Sequence, residues 1–273
     1  MASRAALMGR WNHAKRLAHA LRRDPRAALE DAWEDVCRHR ERSAPAVEGA
    51  SSPHWERQLH ELLGAPWPCE RESTFEPEWQ DIQATLRQGG LAAGRGAYGG
   101  WDDGDSGLAR ALWCLTAHLP ARRTIETGVG RGITTRAILD SLARNGEGRL
   151  WSIDLPFLDR PDLDVQVGFA VPVERRERWS LIEGSSRRKL PGLLKRLGGL
   201  DLFVHDSLHS ERNIRFELEH AWPFVRPGGA VVVDDIHMNA GFHAWLDRTL
   251  DARSIICVPD DHAALFAVAV KQG

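Results

Sequence analysis

Three glycines on alternate positions follow a short run of residues that favours a β-strand. The run is Arg123–Thr127, the glycines are Gly128, Gly130 and Gly132, and a helical pattern starts at Ile133. Glycine accepts positive φ angles in a tight turn, and its missing side chain lets a ligand lie against the backbone at a helix N-terminus. The spacing indicates a nucleotide-type binding turn, although glycine-rich turns also occur in α/β proteins that bind nothing there.

Acidic side chains follow several later runs of residues that favour a β-strand. Asp154 ends one run, where a carboxylate can accept hydrogen bonds from both hydroxyls of a ribose. Asp206 ends another, and Asp234 and Asp235 end the next. Because ligands of an open parallel sheet lie at the carboxyl ends of its strands, these last three side chains should converge. Like charges held together need protons or a cation, and Mg²⁺ prefers carboxylate oxygens, so we predict a divalent-metal site there.

Two histidines lie in the loops after these runs. His209 comes three residues after Asp206, and His237 comes just after the aspartate pair. A histidine near its ordinary pKa can remove a hydroxyl proton at neutral pH. We predict catalytic roles for His209 and Asp206, with His237 as a competing base or a further ligand. The alternative for His209 is a plain polar loop residue, and His205 is expected to be structural.

Strands and helices alternate from Arg122 onward, which predicts a parallel α/β sheet with helices on both faces. Only V-P-D-D-H-A separates the last two strands, too few residues for the crossover that parallel neighbours need. We therefore predict a seven-stranded, doubly wound sheet whose last strand is antiparallel. The predicted strands are Arg123–Thr127, Arg149–Ile153, Trp179–Glu183, Asp201–His205, Ala230–Val233, Arg253–Cys257 and Ala264–Val270. The predicted helices are Ile133–Leu142, Pro172–Arg178, Arg187–Leu197, Glu211–Phe224 and Gly241–Leu250.

Residues 1–95 are predicted to form a helical N-terminal region, and residues 96–273 the α/β domain. Apolar residues recur at helical spacing in Ala5–Leu21, Pro25–Arg40, Pro53–Leu63 and Pro77–Arg87. The helical region could serve as a lid, a substrate-binding element or a dimerisation surface, which leaves a homo-oligomer open. The glycine-rich stretch Gly89–Gly107 could be a lid over a ligand or a mere linker.

The composition excludes some classes of protein. Of the 273 residues 27% are charged, the formal net charge is −2, and no apolar run has the roughly 20 residues of a membrane helix. Neither a nucleic-acid partner nor a membrane is predicted. Cysteines occur without C-x-x-C or other metal-binding spacing, so we expect reduced thiols in a cytoplasmic protein; they are Cys37, Cys69, Cys114 and Cys257.

With motifs and topology combined, the region from Arg122 to about Val270 resembles the Rossmann-like methyltransferases that use S-adenosylmethionine (AdoMet). Four segments carry the resemblance in order: E-T-G-V-G-R-G-I-T-T, L-W-S-I-D-L-P, D-L-F-V-H-D-S-L-H-S and R-P-G-G-A-V-V-V-D-D-I-H. They look like the small-molecule O-methyltransferases of the macrocin and catechol types. The resemblance implies methyl transfer to a hydroxyl of a small molecule, such as a sugar or a phenolic natural product.

The resemblance also implies roles for individual residues. The acidic and glycine turn would hold the methionine portion of AdoMet, Asp154 the ribose, and the end of the third strand the adenine. The residues expected at the cofactor are Glu126, Gly128, Gly130, Gly132, Thr134, Asp154, Leu155, Gly184, Ser185 and Asp206. Catechol-type relatives use a divalent ion to lower the pKa of the substrate hydroxyl, often with Asn where this chain has Asp235, and with Lys as the base where it has His209. The alternative to a metal is that Asp206 faces AdoMet and the aspartate pair begins a loop.

Three rival functions differ from this one in the sequence features that they require. A short-chain dehydrogenase needs a Tyr-x-x-x-Lys pair after the fourth or fifth strand, and the one tyrosine, Tyr98, lies before the sheet. A base-modifying methyltransferase carries an N/D-P-P-aromatic loop where this chain has D-S-L-H. A methyltransferase-like scaffold or regulatory protein without catalysis stays open. The aromatic residues that could line an acceptor pocket are Trp101, Phe157, Phe169, Phe242 and Trp245.

Overall fold

The computed structural model describes residues 21–22, 24–38, 41, 43–44, 51–52, 54–101, 103, 106–155, 157, 160–259 and 264–273. The predicted helix Ala5–Leu21 lies outside the described residues except for its last position. No helix in these ranges combines the length and apolarity that crossing a bilayer requires.

A mixed sheet forms the centre of the protein. Its strands are β1 (Ser51–Ser52), β2 (Arg123–Thr127), β3 (Arg149–Asp154), β4 (Trp179–Glu183), β5 (Leu200–His205), β6 (Val225–Val233), β7 (Ala252–Cys257) and β8 (Phe266–Lys271). They lie in the order β1-β7-β8-β6-β5-β2-β3-β4. Strand β8 runs antiparallel to β6 and β7, and the other pairs are parallel. The predicted seven-stranded sheet with an antiparallel last strand is confirmed, and the two-residue strand β1 adds to its edge.

Helices cover both faces of the sheet. They are α1 (Pro25–Arg38), α2 (Trp55–Leu63), α3 (Glu70–Ser73), α4 (Phe75–Gln88), α5 (Ser106–His118), α6 (Ile133–Asn145), α7 (Pro161–Asp164), α8 (Ser186–Leu197), α9 (Glu211–Ala221) and α10 (Gly241–Leu246). Short 3₁₀ helices span Val173–Arg178 and Trp222–Phe224.

The structure corrects several predicted boundaries, most of all that of β6, which begins at Val225 instead of Ala230. The segment Val173–Arg178 is a single 3₁₀ helix instead of an α-helix, and α10 ends at Leu246 instead of Leu250. Helix α9 ends at Ala221 instead of Phe224, because Pro223 has no N–H to continue the hydrogen-bond ladder.

The side chains of the strands alternate between two apolar layers, one on each face of the sheet. In β5, Leu202 and Val204 pack into the layer under α2, α5 and α6, whereas Phe203 packs into the layer under α8, α9 and α10. Strand β6 is buried on both faces along its A-V-V-V end, as expected for a sheet covered on each side. This is the doubly wound arrangement that the alternating pattern predicts.

The N-terminal helices are packed onto the sheet domain. Helix α4 contributes Phe75, Trp79 and Ile82 to an apolar cluster with residues of α5 and α6. The Trp55 ring of α2 meets the Phe266 ring of β8 edge to face, with centroids 5.3 Å apart. Because these contacts are apolar and buried, the helical layer shares its core with the sheet domain; the boundary near residue 95 stays a prediction.

The strand order reverses between β2 and β5. From β2 the chain moves outward through β3 and β4, and it then crosses to β5 and β6 on the other side. In an open α/β sheet the ligand cleft lies at such a switch point, outside the carboxyl ends of the strands. The glycine turn follows β2 and the carboxylates follow β3, β5 and β6, so this edge positions the candidate site.

Candidate active site

The glycine turn after β2 has a backbone that requires glycine. Gly128, Gly130 and Gly132 have φ angles of 84°, 50° and 82°, a region that residues with a side chain rarely adopt. A Cβ on Gly128 would lie 1.8 Å from the backbone oxygen of Asp206. The turn is therefore in direct contact with the chain that leaves β5, and the two predicted halves of the site adjoin.

The carboxylate of Glu126 lies beneath this turn. It is fully buried and accepts hydrogen bonds from the hydroxyls of Thr134 (3.0 Å), Thr135 (2.7 Å) and Ser152 (2.7 Å). Burial raises the pKa of Glu126 to about 7, although the three hydroxyls act in the opposite direction. The Glu126 side chain thus links the start of α6 to strands β2 and β3 through hydrogen bonds. The predicted contact of Glu126 and Thr134 with a cofactor stays a prediction.

Asp154 points its carboxylate at the backbone of the glycine turn. Its Oδ2 accepts hydrogen bonds from the amides of Val129 (3.2 Å) and Gly130 (3.3 Å). Burial raises the pKa of Asp154 to about 7, and hydrogen bonds from backbone amides, including that of Leu155, partly offset this effect. A carboxylate at this place can accept hydrogen bonds from hydroxyls of a ligand that lies on the turn.

The end of β4 lies beside Asp154. The amide of Gly184 donates to the Asp154 carbonyl oxygen at 2.8 Å, and Gly184 has a φ of 131°. Ser185 is the N-cap residue of α8, and its hydroxyl accepts a hydrogen bond from Nε of Arg188 at 3.1 Å. The predicted ribose and adenine positions are therefore neighbours along one sheet edge.

The glycine-rich segment before α5 covers the turn. Arg131 donates to the carbonyl oxygens of Ala92 (2.5 Å) and Ala97 (3.1 Å) and to Oδ2 of Asp103 (2.7 Å). Tyr98 is buried, and a Cβ on Gly130 would lie 3.3 Å from its ring. These contacts favour the lid interpretation of this segment over a mere linker.

The ligand atoms of Asp206, His209 and Asp234 all lie within 4.8 Å of one another, at the carboxyl ends of β5 and β6. Burial raises the pKa of Asp206 well above its ordinary value, and the nearby carboxylates of Asp234, Glu126 and Asp235 raise it further. The side chains of Asp206 and Asp234 are hydrogen-bonded to each other, which requires a shared proton in the absence of a cation. Two carboxylates and an imidazole are suitable ligands for a divalent ion.

Asp235 pairs with His209, and its role as a metal ligand stays a prediction. Its Oδ2 lies 3.0 Å from Nδ1 of His209, and it is not among the three side chains grouped around Asp206. Burial alone would raise the pKa of Asp235, but the hydrogen bond and the electrostatic interaction with His209 bring it below its ordinary value. Nε2 of His209 is buried and has no hydrogen-bond partner among the described residues.

The other two histidines differ from His209 in their surroundings. His237 is more exposed, accepts a hydrogen bond from the Leu265 amide at 3.3 Å, and lies 3.8 Å from Asp235. His205 is fully buried, with Nδ1 2.7 Å from Oε2 of Glu217. The expectation that His205 is structural agrees with this burial and pairing.

Glu217 is a residue that the sequence interpretation missed. It is fully buried on α9 and accepts hydrogen bonds from Thr127 (2.5 Å), Ser207 (3.0 Å) and Asn213 (2.9 Å). Despite the cost of burial, the adjacent His205 and these donors bring the pKa of Glu217 down to about 2. Its position on the apolar stripe of the helix, next to Leu218, was the available signal.

The aromatic residues expected to line an acceptor pocket differ in their surroundings. Phe157 packs edge to face with Tyr98 (5.5 Å between centroids) and lies 5.7 Å from the exposed Trp101. Phe169 is part-exposed beside Gly89. Phe242 and Trp245, in contrast, belong to the apolar layer under α10, because both are at least 96% buried there.

Comparison with known proteins shows what this domain is similar to. Residues 125–236 match a family model described as a methyltransferase domain. Among solved structures, the chain is similar to the O-methyltransferase TomG from Streptomyces achromogenes, involved in tomaymycin synthesis and solved with SAM: the TM-score is 0.50 at 21% identity over 72% of this chain and 90% of that one. It is also similar to an O-methyltransferase from Bacillus cereus in complex with SAH, with a TM-score of 0.50 at 13% identity over 80% and 97% of the two chains. A search of curated proteins finds no match.

Proposed function

We propose that this protein is an AdoMet-dependent O-methyltransferase that acts on a small molecule. Its residues 125–236 match a methyltransferase domain, and its fold is Rossmann-like. The cofactor assignment agrees with the SAM-bound and SAH-bound structures to which the fold is similar. We further propose that His209 is the general base and that a divalent cation assists it.

One observation carries the proposal. The glycine turn touches the chain after β5 at Asp206, and three residues later His209 presents a buried nitrogen without a partner among the described residues. A hydroxyl placed beside this nitrogen would also be beside the turn. The group that removes a proton and the turn that binds the methyl donor are therefore adjacent.

The residues at the switch point fit AdoMet. The glycines leave their backbone open where a Cβ would collide, and Asp154 can accept hydrogen bonds from the ribose hydroxyls. Gly184 and Ser185 lie beside it, where the adenine is expected. When bound there, AdoMet supplies a methyl group on a sulfonium, an electrophile that leaves behind a neutral thioether.

The base is oriented by its neighbour. With Nδ1–H donating to Asp235, His209 has its lone pair on Nε2, the tautomer that can accept a proton. The acceptor hydroxyl gives its proton to Nε2 while its oxygen forms the new bond to the methyl carbon. The Asp235 carboxylate then stabilises the imidazolium, and the Tyr98 lid segment keeps water from the turn.

The residues at the ends of β5 and β6 also fit a hard divalent cation. Asp206 and Asp234 share a proton without one, so a cation in its place would relieve the repulsion between them. Bound there, Mg²⁺ would lower the pKa of the acceptor hydroxyl. In this proposal Asp206 and Asp234 would hold the cation and His209 would not, because the lone pair on its Nε2 is needed to accept the proton.

We propose a sugar or a phenolic natural product as the acceptor, in a cytoplasmic enzyme without a nucleic-acid or membrane partner. Trp101 is exposed at 61% and faces Phe157, so the pair offers an apolar wall to a ring-shaped molecule. TomG, to which the fold is similar, is described as involved in tomaymycin synthesis, which agrees with a natural-product acceptor.

The test is methyl transfer from AdoMet labelled in its methyl group. The protein is incubated with panels of catechols, phenols and sugars, and the product is located on oxygen or elsewhere by NMR. We expect label on a hydroxyl oxygen. If S-adenosylhomocysteine (AdoHcy) binds but no label reaches any acceptor, the scaffold alternative replaces this proposal.

The metal is tested separately once an acceptor is known. We expect dialysis against chelator to abolish turnover and Mg²⁺ to restore it, whereas Asp234→Asn should shift the Mg²⁺ requirement to higher concentration. Full turnover after chelation would leave the two carboxylates as a proton-sharing pair and refute metal assistance. AdoHcy affinity serves as the control, since it should not change with Mg²⁺.

A further inference from the structure

A second group of metal-binding side chains lies in the N-terminal helical layer. It consists of His60 on α2, Cys69 immediately before α3, and His118 on α5, and their ligand atoms lie within 4.8 Å of one another. We propose that these three residues form a binding site for zinc. The site belongs to none of the strand ends that make up the candidate active site.

The tautomer of His60 is fixed by its neighbours. Its Nδ1 lies 2.6 Å from the carbonyl oxygen of Glu56, and a carbonyl can only accept, so Nδ1 carries the hydrogen. Nε2 therefore has a free lone pair, and it lies 3.0 Å from Sγ of Cys69. An imidazole that donates its other N–H to a backbone carbonyl is the usual arrangement of a metal-bound histidine.

The nitrogen of His118 gives independent support. Its Nε2 is buried and has no hydrogen-bond partner among the described residues, and its ring lies 5.0 Å from that of His60. A buried polar atom without a partner costs free energy. A thiol–imidazole hydrogen bond between Cys69 and His60 leaves this cost in place, whereas a shared cation removes it.

A second buried thiol, that of Cys114, lies beside Cys69. Cys69 and Cys114 are both buried and hydrogen-bonded to each other, and the amide of Glu72 donates to Sγ of Cys69 at 3.2 Å. Cys114 and His118 are four residues apart on α5, so they lie on one face of that helix. Burial raises the pKa of Cys114 above its ordinary value, and its sulfur is not among the three grouped ligand atoms, so Cys114 lies outside the proposed site.

Histidine nitrogens and cysteine sulfurs are the ligands that zinc prefers. The three ligands come from α2, the residue before α3, and α5, so a bound ion would join the N-terminal helices to the first helix of the sheet domain. Because such an ion binds the folded chain and not the unfolded one, it would stabilise this layer.

Cobalt substitution tests the proposal. The full chain, stripped of metal, is titrated with Co²⁺ and then with Zn²⁺, and the thiolate-to-cobalt charge-transfer absorption is recorded. This absorption requires a sulfur ligand, so Co²⁺ at the carboxylates of Asp206 and Asp234 cannot produce it. We expect one equivalent of Co²⁺ to give the absorption, and Zn²⁺ to bleach it and raise the melting temperature.

Variants assign the ligands. Cys69→Ser should abolish the absorption, and His118→Gln, on a part-exposed residue, should weaken zinc binding at least ~10-fold. His220→Gln, an exposed histidine on α9, is the matched control and should change neither. Circular dichroism and AdoHcy binding verify that each variant is folded. A wild-type chain without the absorption, or a folded His118→Gln chain that binds zinc as tightly as wild type, would overturn the proposal.

Discussion

Nδ1 of His209 lies 3.0 Å from Oδ2 of Asp235, and Nε2 of the same ring lies 3.9 Å from Oδ1 of Asp206. The imidazole is thus held between two carboxylates that follow different strands. Asp235 reaches it from a backbone with φ of 53°, a conformation that costs a non-glycine residue about 1–2 kcal/mol. Strain of this kind collects at functional sites, where the surrounding structure maintains it.

The His209–Asp235 pair leads to a prediction about catalysis. His209→Gln should lower kcat by about 10²–10⁴, because the glutamine cannot accept the hydroxyl proton. Asp235→Asn should lower kcat less, since His209 keeps its ring but loses the partner that stabilises its charged form. Steady-state kinetics and AdoHcy calorimetry measure the two effects, and cofactor affinity should change less than about twofold.

A control variant is measured by the same kinetics and calorimetry. His220→Gln, at an exposed site, should leave kcat unchanged. A His209→Gln variant that loses cofactor affinity and kcat together would assign a structural role to this histidine.

The raised pKa of Asp154 predicts a pH dependence of cofactor binding. Without ligand its pKa is about 7, and ribose hydroxyls that donate to the carboxylate favour the ionised form. Binding therefore lowers this pKa and releases a proton, so affinity should be full above pH 7 and fall by up to tenfold per pH unit below it. Calorimetric titration with AdoHcy from about pH 5.5 to 8.5 measures this dependence.

Two variants assign the titrating group. Asp154→Asn should weaken binding and remove its pH dependence. Glu126 also has a pKa of about 7, but its carboxylate is sealed beneath the turn by three hydroxyls. Glu126→Gln should consequently keep the pH dependence of AdoHcy binding. If this variant loses that dependence, Glu126 and not Asp154 is the group that titrates.

The sequence was informative where one local signal determines the structure. The bounds of β2 and β4 were predicted to the residue, because β-prone runs there end at glycine turns. The convergence of Asp154, Asp206 and Asp234 on one edge follows from topology alone, since parallel strands align their carboxyl ends.

Other features depend on contacts that no local pattern contains. The pairing of Asp235 with His209 needs a positive φ at an aspartate, which residue type does not specify. The pair of His205 and Glu217 joins a strand to a helix across the interior. The group around Cys69 draws its ligands from three elements, so spacing along the chain could not indicate it.

The contact between Gly128 and Asp206 predicts a severe effect of one methyl group. Gly128→Ala combines an unfavourable φ with a Cβ placed 1.8 Å from a backbone oxygen, so it should cost at least about 3 kcal/mol of unfolding free energy. Gly146→Ala is the matched control, because Gly146 has a φ of 75° and nothing within 4 Å of the added Cβ. Its cost should be only about 1–2 kcal/mol.

Urea unfolding of both alanine variants measures the difference, and AdoHcy binding gives a second measurement. A folded Gly128→Ala chain should bind AdoHcy weakly, because relief of the collision displaces the turn from the Asp206 chain. Equal unfolding free energies for the two variants would mean that the turn relaxes without cost, contrary to the contact geometry.

The buried pair of Glu217 and His205 predicts the behaviour of the fold in acid. The pKa of Glu217 is about 2 in the folded chain and ordinary, near 4.5, when unfolded, so the carboxylate contributes stability that is fully present above the ordinary value. That contribution is lost as pH falls from about 4.5 to about 2, by an amount on the order of 2–3 kcal/mol.

Glu217→Gln should lower stability at neutral pH, because it leaves His205 buried without its carboxylate partner, and should flatten the loss below pH 4.5. Glu219→Gln, on the exposed face of the same helix, should retain the full acid dependence of wild type. Urea midpoints measured from about pH 7 to pH 3 compare the three chains, and an acid limb in Glu217→Gln as steep as in wild type would locate the acid sensitivity elsewhere.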